Sequence, residues 1–263
     1  MMDLGLNQKV ALVAASSKGL GKAVALSLAK EGADLIICAR NLENLEVVSK
    51  EVASFGRNVL AIPGDLTKYS QVKEIVSSGV EKFGKIDVLI TNCGGPPSGN
   101  FLDFTIDDWE YAINLNLMST IYLCKEVIPF MVRQNWGRIV MITSVSVKQP
   151  IPGLILSNVA RAGVAGLAKS LSNEFGRNNI LVNVVCPGYT LTKRITDLAE
   201  TLSVKRGISI EKIKEEWENQ NALNRMATPE EFANVVSFLA SERASHLTGT
   251  TIQVDGGYVK SLL

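Results

Sequence analysis

A loop near the amino end of the chain combines small side chains with two glycines, a pattern suited to binding phosphate. It follows a short apolar run that ends at Ala14 and precedes an amphipathic run that begins at Leu20. The first run predicts a strand buried on both faces, and the second predicts a helix whose positive end points at the loop. Small residues let backbone N–H groups approach a pyrophosphate, so the pattern predicts a dinucleotide site. Its predicted residues are Ala15, Ser17, Lys18, Gly19, Leu20 and Gly21.

Taken alone, this loop fits an ordinary tight turn between a strand and a helix equally well. Only Gly19 and Gly21 are present, and Ala15 stands where a three-glycine fingerprint has another glycine.

Two cations near the loop indicate which dinucleotide it binds. An acidic residue at the end of the second strand would bind the ribose hydroxyls of NAD(H), but Ala39-Arg40 stands there. Lys18 adds a second cation within the loop. Both side chains favour a 2′-phosphate and therefore predict NADP(H) over NAD(H). The alternative is that Arg40 is simply solvated.

The elements that must position these residues alternate along the whole chain. After the first strand, strands are predicted at residues 33–38, 58–62, 86–91, 138–143, 180–186 and 251–254. Helices are predicted at 20–32, 42–55, 67–83, 105–131, 156–175 and 229–241. Asn41 and Thr105 are expected to cap their helices. Seven strands joined by six crossovers predict an α/β fold, a doubly wound parallel sheet of the Rossmann type with helices on both faces.

Residues 189–226 interrupt this alternation, because they are polar, helical in composition and without a strand. We expect a helical lid inserted after the sixth strand rather than a second domain. Residues 1–263 are therefore predicted to form a single domain.

Composition narrows the class of partner. The 263 residues are 46% hydrophobic and 20% charged, with a formal charge of +1. This balance argues against nucleic acid and against an anionic membrane, and it favours a small-molecule ligand. The four cysteines show no metal-ligand spacing, so we expect reduced thiols, no metal and a cytoplasmic setting. No apolar run approaches the 18 or so residues that span a bilayer, which predicts a protein neither exported nor membrane-embedded.

Several short motifs follow one another along the sequence. They are the loop from Ala14 to Gly21, Asp65-Leu66, Asn92-Cys93-Gly94-Gly95, Asn116, Ser144, Pro187-Gly188, Thr248-Gly249 and Asp255-Gly256-Gly257. In order and spacing, the chain resembles the short-chain dehydrogenase/reductases over essentially its whole length, and especially the branch of 3-oxoacyl-carrier-protein reductases.

The resemblance implies roles for individual residues. Ser144 and Asn116 would orient the substrate and hold water. The residues that would contact the cofactor beyond the first loop are Asp65 and Leu66 beside the adenine, Asn92, Gly94, Pro187, Gly188, Thr190 and Thr192. The resemblance also implies a homotetramer in which the helices at 105–131 and 156–175 pair with their copies. Extra apolar positions on the first of these, including Ile121, Tyr122 and Val127, agree with such an interface.

The sequence departs from the family at its catalytic pair. Thirteen residues after Ser144, where the family has tyrosine, stands Ser157, and Arg161 replaces the lysine four residues later. Leu154 occupies the position that the tyrosine takes in related enoyl reductases. A serine hydroxyl is a much weaker acid than a phenol beside an ammonium, and Arg161 cannot release a proton near neutral pH. The predicted catalytic set is therefore Ser144, Asn116, Ser157 and Arg161, with an altered source of protons.

Three other residues could have taken over proton donation. Lys148 follows Ser144 in the predicted substrate loop, and Tyr189 follows Pro187-Gly188. A solvated lysine and a packing tyrosine are the simpler explanations of these two residues. His246 is the only histidine, and a surface position or a cap explains it better than catalysis does.

Three hypotheses about function follow. The first is an NADP(H)-dependent oxidoreductase that interconverts a carbonyl and an alcohol with an altered proton relay. The second is a non-catalytic NADP(H)-binding sensor or scaffold on the same fold, and the third is an enzyme of another reaction type. The retained Ser144, Asn116 and cation at position 161 favour the first.

Overall fold

The computed structural model describes residues 3–262 and shows one α/β unit. The strands are β1 (Val10–Ala14), β2 (Asp34–Ala39), β3 (Val59–Pro63), β4 (Val88–Thr91), β5 (Gly137–Ile142), β6 (Ile180–Pro187) and β7 (Thr251–Val254). The helices are α1 (Gly19–Lys30), α2 (Leu42–Ser54), α3 (Tyr69–Phe83), α4 (Ile106–Ile113), α5 (Ser119–Gln134), α6 (Ile155–Phe175), α7 (Lys193–Arg206), α8 (Ile210–Glu218) and α9 (Pro229–Leu239).

All seven strands lie in one parallel sheet with the order β3-β2-β1-β4-β5-β6-β7. This confirms the predicted doubly wound sheet. The chain reverses its direction of travel across the sheet between β3 and β4, so β1 lies beside both β2 and β4. Loops at the carboxyl ends of strands beside such a reversal diverge and leave a crevice, where ligands of this architecture bind.

Alternate side chains of the strands face two separate cores. Along β1, Ala11 and Val13 pack on one face of the sheet with α1, α2 and α9, whose contributions include Leu28, Leu45 and Phe232. On the other face Leu12 packs with α3, α5 and α6. Both faces of the sheet are therefore covered by helices, as the uninterrupted apolar strands predict.

Helix α4 begins at the predicted capping box. The Thr105 hydroxyl accepts a hydrogen bond from the Asp108 backbone N–H at 3.3 Å, and an Asp108 carboxylate oxygen accepts from the Thr105 N–H at 2.9 Å. The predicted Asn41 cap of α2 is also present, accepting from the Asn44 N–H at 2.8 Å.

The single helix predicted at 105–131 is interrupted by one π-helical turn at Asn114–Met118 and continues as α5 to Gln134. The combined helix, Ile106–Gln134, is long and apolar enough to cross a membrane by length and composition alone. The sequence predicted no such segment, because charged and polar residues interrupt its apolar runs. Buried residues of α5, such as Leu123 and Val127, pack in the core on the sheet, as a core helix of this length and composition does. Val127 was predicted to lie at a subunit interface, and that prediction is wrong because its side chain is fully buried within the chain.

The segment after β6 folds into α7 and α8, as the predicted helical insertion required. Its buried residues Ala199, Ile213, Trp217 and Met226 form a third, smaller apolar cluster. This cluster holds α7 against α8 beside the carboxyl end of β6.

Candidate active site

The predicted phosphate loop is a backbone cradle at the carboxyl end of β1. Gly19 has a φ of +57°, and a Cβ atom on Gly21 would collide with the Ala15 carbonyl oxygen and with Nδ2 of Asn92. The backbone at Gly21 therefore packs directly against the loop and leaves no room for a side chain. No side chain caps the first turn of α1, so its N–H groups point to the loop without a side-chain acceptor. Such a cradle fits a dinucleotide pyrophosphate.

Ala15 occupies the position of the absent third glycine in a glycine-like conformation. Its φ is +48°, in the left-handed region that costs an L-residue roughly 1–2 kcal/mol. The loop therefore keeps the shape that the glycine would adopt, and Ala15 holds it under strain. This explains why the sequence signal is incomplete although the cradle is present.

The residues predicted for the adenosine half of the cofactor lie along the loops beyond this cradle. Lys18 and Arg40 are exposed, and within residues 3–262 neither side chain forms an ion pair or a hydrogen bond. The Asp65 carboxylate accepts from the backbone N–H and the hydroxyl of Thr67 at 3.0 and 2.9 Å, and Leu66 is buried. Two unpaired cations at the end of β2 and in the loop suit a phosphate.

A cavity of about 330 Å³ opens at the carboxyl ends of β4, β5 and β6. It joins cofactor candidates to catalytic candidates: the lining includes Leu20, Asn92, Pro187, Gly188, Thr190 and Thr192 together with Ser144, Ser157 and Arg161. Gly94 and Asn116 are not part of the lining: the Gly94 carbonyl accepts a hydrogen bond from the lining residue Arg161, and Asn116 is buried. Apolar side chains such as Ile151, Leu154 and Leu198 form much of the remaining wall.

Arg161 organises the cavity floor. It lies one turn after Ser157 on α6, and its Nε donates to the Ser157 hydroxyl at 3.1 Å. One terminal nitrogen donates to the Thr143 carbonyl at 3.0 Å, and the other donates to the Gly94 carbonyl at 3.4 Å. The planar fork thus ties α6 to the ends of β5 and β4, which a lysine could not do with the same geometry. Only 7% of Arg161 and 8% of Ser157 are exposed.

Ser144 caps the short 3-10 turn Val145–Val147 at the end of β5. Its Oγ accepts from the Ser146 N–H at 3.2 Å, which is a local capping role beside the one that the resemblance implies. Because this bond uses an oxygen lone pair, the hydroxyl hydrogen is left for a ligand. Ser144 and Ser157 therefore both present hydroxyl groups to the same cavity.

Asn116 lies in the π-helical turn and is 1% exposed. Its Nδ2 donates to the Ala112 carbonyl at 3.2 Å, and its Oδ1 accepts from the Cys93 thiol at 3.3 Å. The structure thus places Cys93, and not Asn116, on the cavity wall. Cys93 was not among the residues predicted for the site, although it is the second residue of the motif Asn92-Cys93-Gly94-Gly95.

The other proposed proton donors are poorly placed. Tyr189 lines the cavity, but its ring stacks on Trp217 at 4.9 Å and meets Tyr258 edge-on at 5.7 Å. Burial raises the pKa of Tyr189 to about 12, away from the range useful for an acid. Lys148 and His246 are not part of the cavity wall among the described residues.

Burial also raises the pKa of the Cys93 thiol, and the charges of Arg161 and then Arg194 oppose that shift. Arg194, on the first turn of α7, is a wall residue that the sequence analysis missed. Its guanidinium lies against Gly95, in the space that a side chain there would occupy. Partial desolvation and then the charge of Arg161 lower the pKa of Arg194, although the residue as a whole remains exposed. The sequence signal that could have pointed to Arg194 is Gly95, whose lack of a side chain leaves room for a neighbouring group.

The parallel sheet, the glycine cradle and the cavity beside the reversal point define a dinucleotide-binding protein of the Rossmann type. A family model described as enoyl-(acyl carrier protein) reductase matches residues 14–259. The chain belongs to the short-chain dehydrogenase/reductase family, which confirms the resemblance read from its motifs.

Individual relatives match over nearly their full length. The 3-oxoacyl-(acyl-carrier-protein) reductase FabG of Aquifex aeolicus is 35% identical, with 97% of this chain and 99% of that protein covered. FabG of Thermotoga maritima is also 35% identical, with the same coverage. The L-sorbose reductase of Gluconobacter frateurii, solved with NADPH and L-sorbose, has a TM-score of 0.95 and 31% identity, covering 99% of this chain and 100% of that one. Its NADPH agrees with the cofactor predicted from the sequence.

Proposed function

We propose that this oxidoreductase uses NADP(H) to interconvert a carbonyl and an alcohol, with a serine and an arginine in place of the usual tyrosine and lysine. The observation that carries the proposal is the Arg161 fork, which holds Ser157 in the wall of a cavity that reaches Leu20 at the phosphate cradle. Arg161 thus combines a structural role, joining α6 to the ends of β5 and β4, with a fixed positive charge beside Ser157.

The cofactor fits the residues present. The cradle at Gly19 and Gly21 would hold the pyrophosphate, and Thr190 and Thr192 border the cavity beside it. Arg161 would hold the nicotinamide ribose with the donors that its three hydrogen bonds leave over. The chemistry that NADPH supplies when bound is a hydride for the carbonyl carbon.

The chain's own residues act on the carbonyl oxygen. Since Ser157 accepts from Arg161, its hydroxyl hydrogen is available to donate, as is that of Ser144. Two hydroxyl donors would stabilise negative charge on the oxygen, and the fixed charge of Arg161 behind Ser157 would add to this effect. The proton that completes the alcohol would come from water at the cavity mouth, because burial raises the pKa of Cys93, Tyr189 and Tyr258 on the cavity wall.

Serine variants test the proposal. Ser157→Ala should lower NADPH-dependent reduction of activated ketones on the order of 10²-fold, as the loss of an oxyanion donor does. Ser144→Ala should lower the rate by a similar factor. NADPH binding, followed by fluorescence, should be retained in both variants.

Ser146→Ala is the matched control, because its buried Oγ has no hydrogen-bond partner among the described residues and does not line the cavity. It should leave the rate unchanged. Equal rates in all three variants and the unmodified protein would remove the proposed roles of both hydroxyls.

The preference for NADP(H) rests on Arg40 and Lys18, two exposed cations without acidic partners in residues 3–262. Arg40→Ala should weaken NADPH binding about tenfold and leave NADH binding nearly unchanged, since only NADPH carries the 2′-phosphate. Titration calorimetry measures both affinities. Tighter binding of NADH by the unmodified protein would overturn this preference.

Three wider features belong to the same proposal. The protein acts as a homotetramer through helices α4 to α6, where exposed apolar side chains such as Tyr111 and Val159 support an interface. The segment 189–226 serves as a lid over the cavity, to which it contributes Arg194 and Leu198. We place the protein in the cytoplasm, in agreement with four cysteines that form no disulfide.

One observation favours a second candidate, the non-catalytic NADP(H)-binding sensor. The titratable hydroxyl and thiol groups on the cavity wall, Cys93, Tyr189 and Tyr258, all have pKa values raised by burial. None of the three is therefore tuned for proton donation near neutral pH. Binding of NADPH without reduction of any carbonyl would favour the sensor.

A further inference from the structure

The cavity holds two guanidinium groups and no carboxylate. Arg161 and Arg194 line it, whereas no aspartate or glutamate appears among the lining residues of the described chain. All three acceptors of Arg161 are neutral: a serine hydroxyl and two backbone carbonyls. Arg194 forms neither a hydrogen bond nor an ion pair with residues 3–262, and Arg206 further along the same helix is by contrast paired with Glu216.

The two cations lie close together because they contact two adjacent residues, Gly94 and Gly95. Arg161 donates to the Gly94 carbonyl, and the Arg194 guanidinium lies against the next residue, Gly95. A side chain at Gly95 would displace Arg194 from this place. Two like charges in a partly desolvated space repel each other, and a buried cation with only neutral partners is costly. A ligand that brings a negative charge between them would relieve both costs.

From this arrangement we propose that Arg194, supported by Arg161, binds an anionic group on the substrate, so that the substrates are oxo acids and their hydroxy-acid products. A planar guanidinium with free donors matches a carboxylate by two parallel hydrogen bonds. The apolar wall formed by Ile151, Leu154 and Leu198 would accept the carbon chain of such an acid. The assignment of substrate rests on the proposed reductase function, whereas the anion subsite itself does not.

A phosphate of the cofactor is the other anion that could lie between the two arginines. The two sources differ in what they predict for binding. If the subsite serves the substrate, a carboxylate binds to the complex with NADP⁺, and loss of Arg194 leaves cofactor affinity nearly unchanged. If it serves the cofactor, NADP⁺ excludes the carboxylate and loss of Arg194 weakens NADP⁺ binding.

The binding arm of the test uses benzoate and its neutral analogue benzamide, titrated by calorimetry into the protein saturated with NADP⁺. Benzoate should bind about tenfold to a hundredfold more tightly than benzamide, as a charge-assisted pair predicts. Arg194→Gln should abolish this preference and Arg194→Lys should restore part of it. Lys205→Gln removes a charge from an exposed position on the same helix and should change nothing.

The activity arm uses straight-chain oxo acids, whose ketone lies successively farther from the carboxylate, each paired with its primary amide. For the best acid, kcat/KM should exceed that of its amide at least tenfold, and Arg194→Gln should remove the difference mainly through KM. Equal turnover of acids and amides, or exclusion of benzoate by NADP⁺, would overturn the substrate assignment and leave the reductase function standing. Selective benzoate binding without turnover of any carbonyl would support the anion subsite and overturn the reductase function.

Discussion

Restoring a phenol and an ammonium at the two altered positions tests whether proton supply is what distinguishes this site. The perturbation is the double replacement Ser157→Tyr with Arg161→Lys. Ser157 lines a cavity of about 330 Å³, so the added ring would extend into open space beside Ile151 and Leu154. A phenol there, beside an ammonium that lowers its pKa, is a competent general acid.

Two opposing effects set the expected magnitudes. A general acid contributes roughly 10²–10⁴-fold in rate, and a replacement that places it imperfectly should still recover tenfold or more. Lysine cannot reproduce the Arg161 hydrogen bonds to both the Thr143 and Gly94 carbonyls. Losing them should cost about 1–3 kcal/mol, which lowers the midpoint of thermal unfolding by about 2–4 °C for each kcal/mol.

The assay follows NADPH consumption with activated ketones and the thermal midpoint on the same sample. Ser157→Phe with Arg161→Lys is the matched control, because it adds the same ring without the hydroxyl. Both double variants should show the same loss of stability, and only the tyrosine variant should gain rate. A tyrosine variant that is stable, binds NADPH and reduces ketones no faster than the phenylalanine variant would refute the reasoning.

Three further predictions concern stability and assembly. Ala15→Gly should stabilise the protein by up to about 1 kcal/mol in chemical denaturation. The glycine removes the strain at φ +48°, and the greater conformational entropy of the unfolded chain offsets part of that gain. A loss of stability would contradict the strained-loop account. The pKa of Glu231 is lowered to about 2 by hydrogen bonds from Arg225 and then from the Thr228 N–H, so the contribution of this carboxylate to stability is present above pH 4.5 and disappears as the pH falls towards 2. Glu231→Gln should therefore lower stability at neutral pH and flatten the acid limb of a thermal-melt series, and an unchanged limb would show that the pair is inactive. Light scattering at micromolar concentration should give four times the 28.4 kDa chain mass, whereas the mass of a single chain would refute the tetramer.

The sheet and the caps were accessible from the sequence because they depend on local patterns. Uninterrupted apolar runs identified the strands, and the side chains of Asn41 and Thr105 determined where two helices begin. The predicted ends of helices and strands differ from the observed ends by up to three residues, as for α5, which continues to Gln134. The π-helical turn at Asn114–Met118 was not predicted, because such turns are rare and the α-helical period was extended through it.

Only part of the candidate site could likewise be predicted from the sequence. Ser144 and Ser157 were found through their positions in the motifs of the family that the sequence resembles, and the cradle was found from small residues between a strand and a helix. Arg194 and Cys93 were missed because their importance depends on packing across the sheet, against Gly95 and Asn116 respectively. Tyr189 was considered as a proton donor, and only the stack on Trp217, which is distant in sequence, shows why it is a poor one.

Transfer of deuterium from deuterated NADPH to a carbonyl compound tests the central claim most directly. The unmodified protein is incubated with cofactor labelled on the transferred position and with a panel of oxo acids and neutral ketones, and the alcohols are analysed by mass spectrometry. The account predicts deuterium on the carbinol carbon, with less in Ser157→Ala. Tight binding of NADPH with no deuterium in any product after prolonged incubation would contradict it.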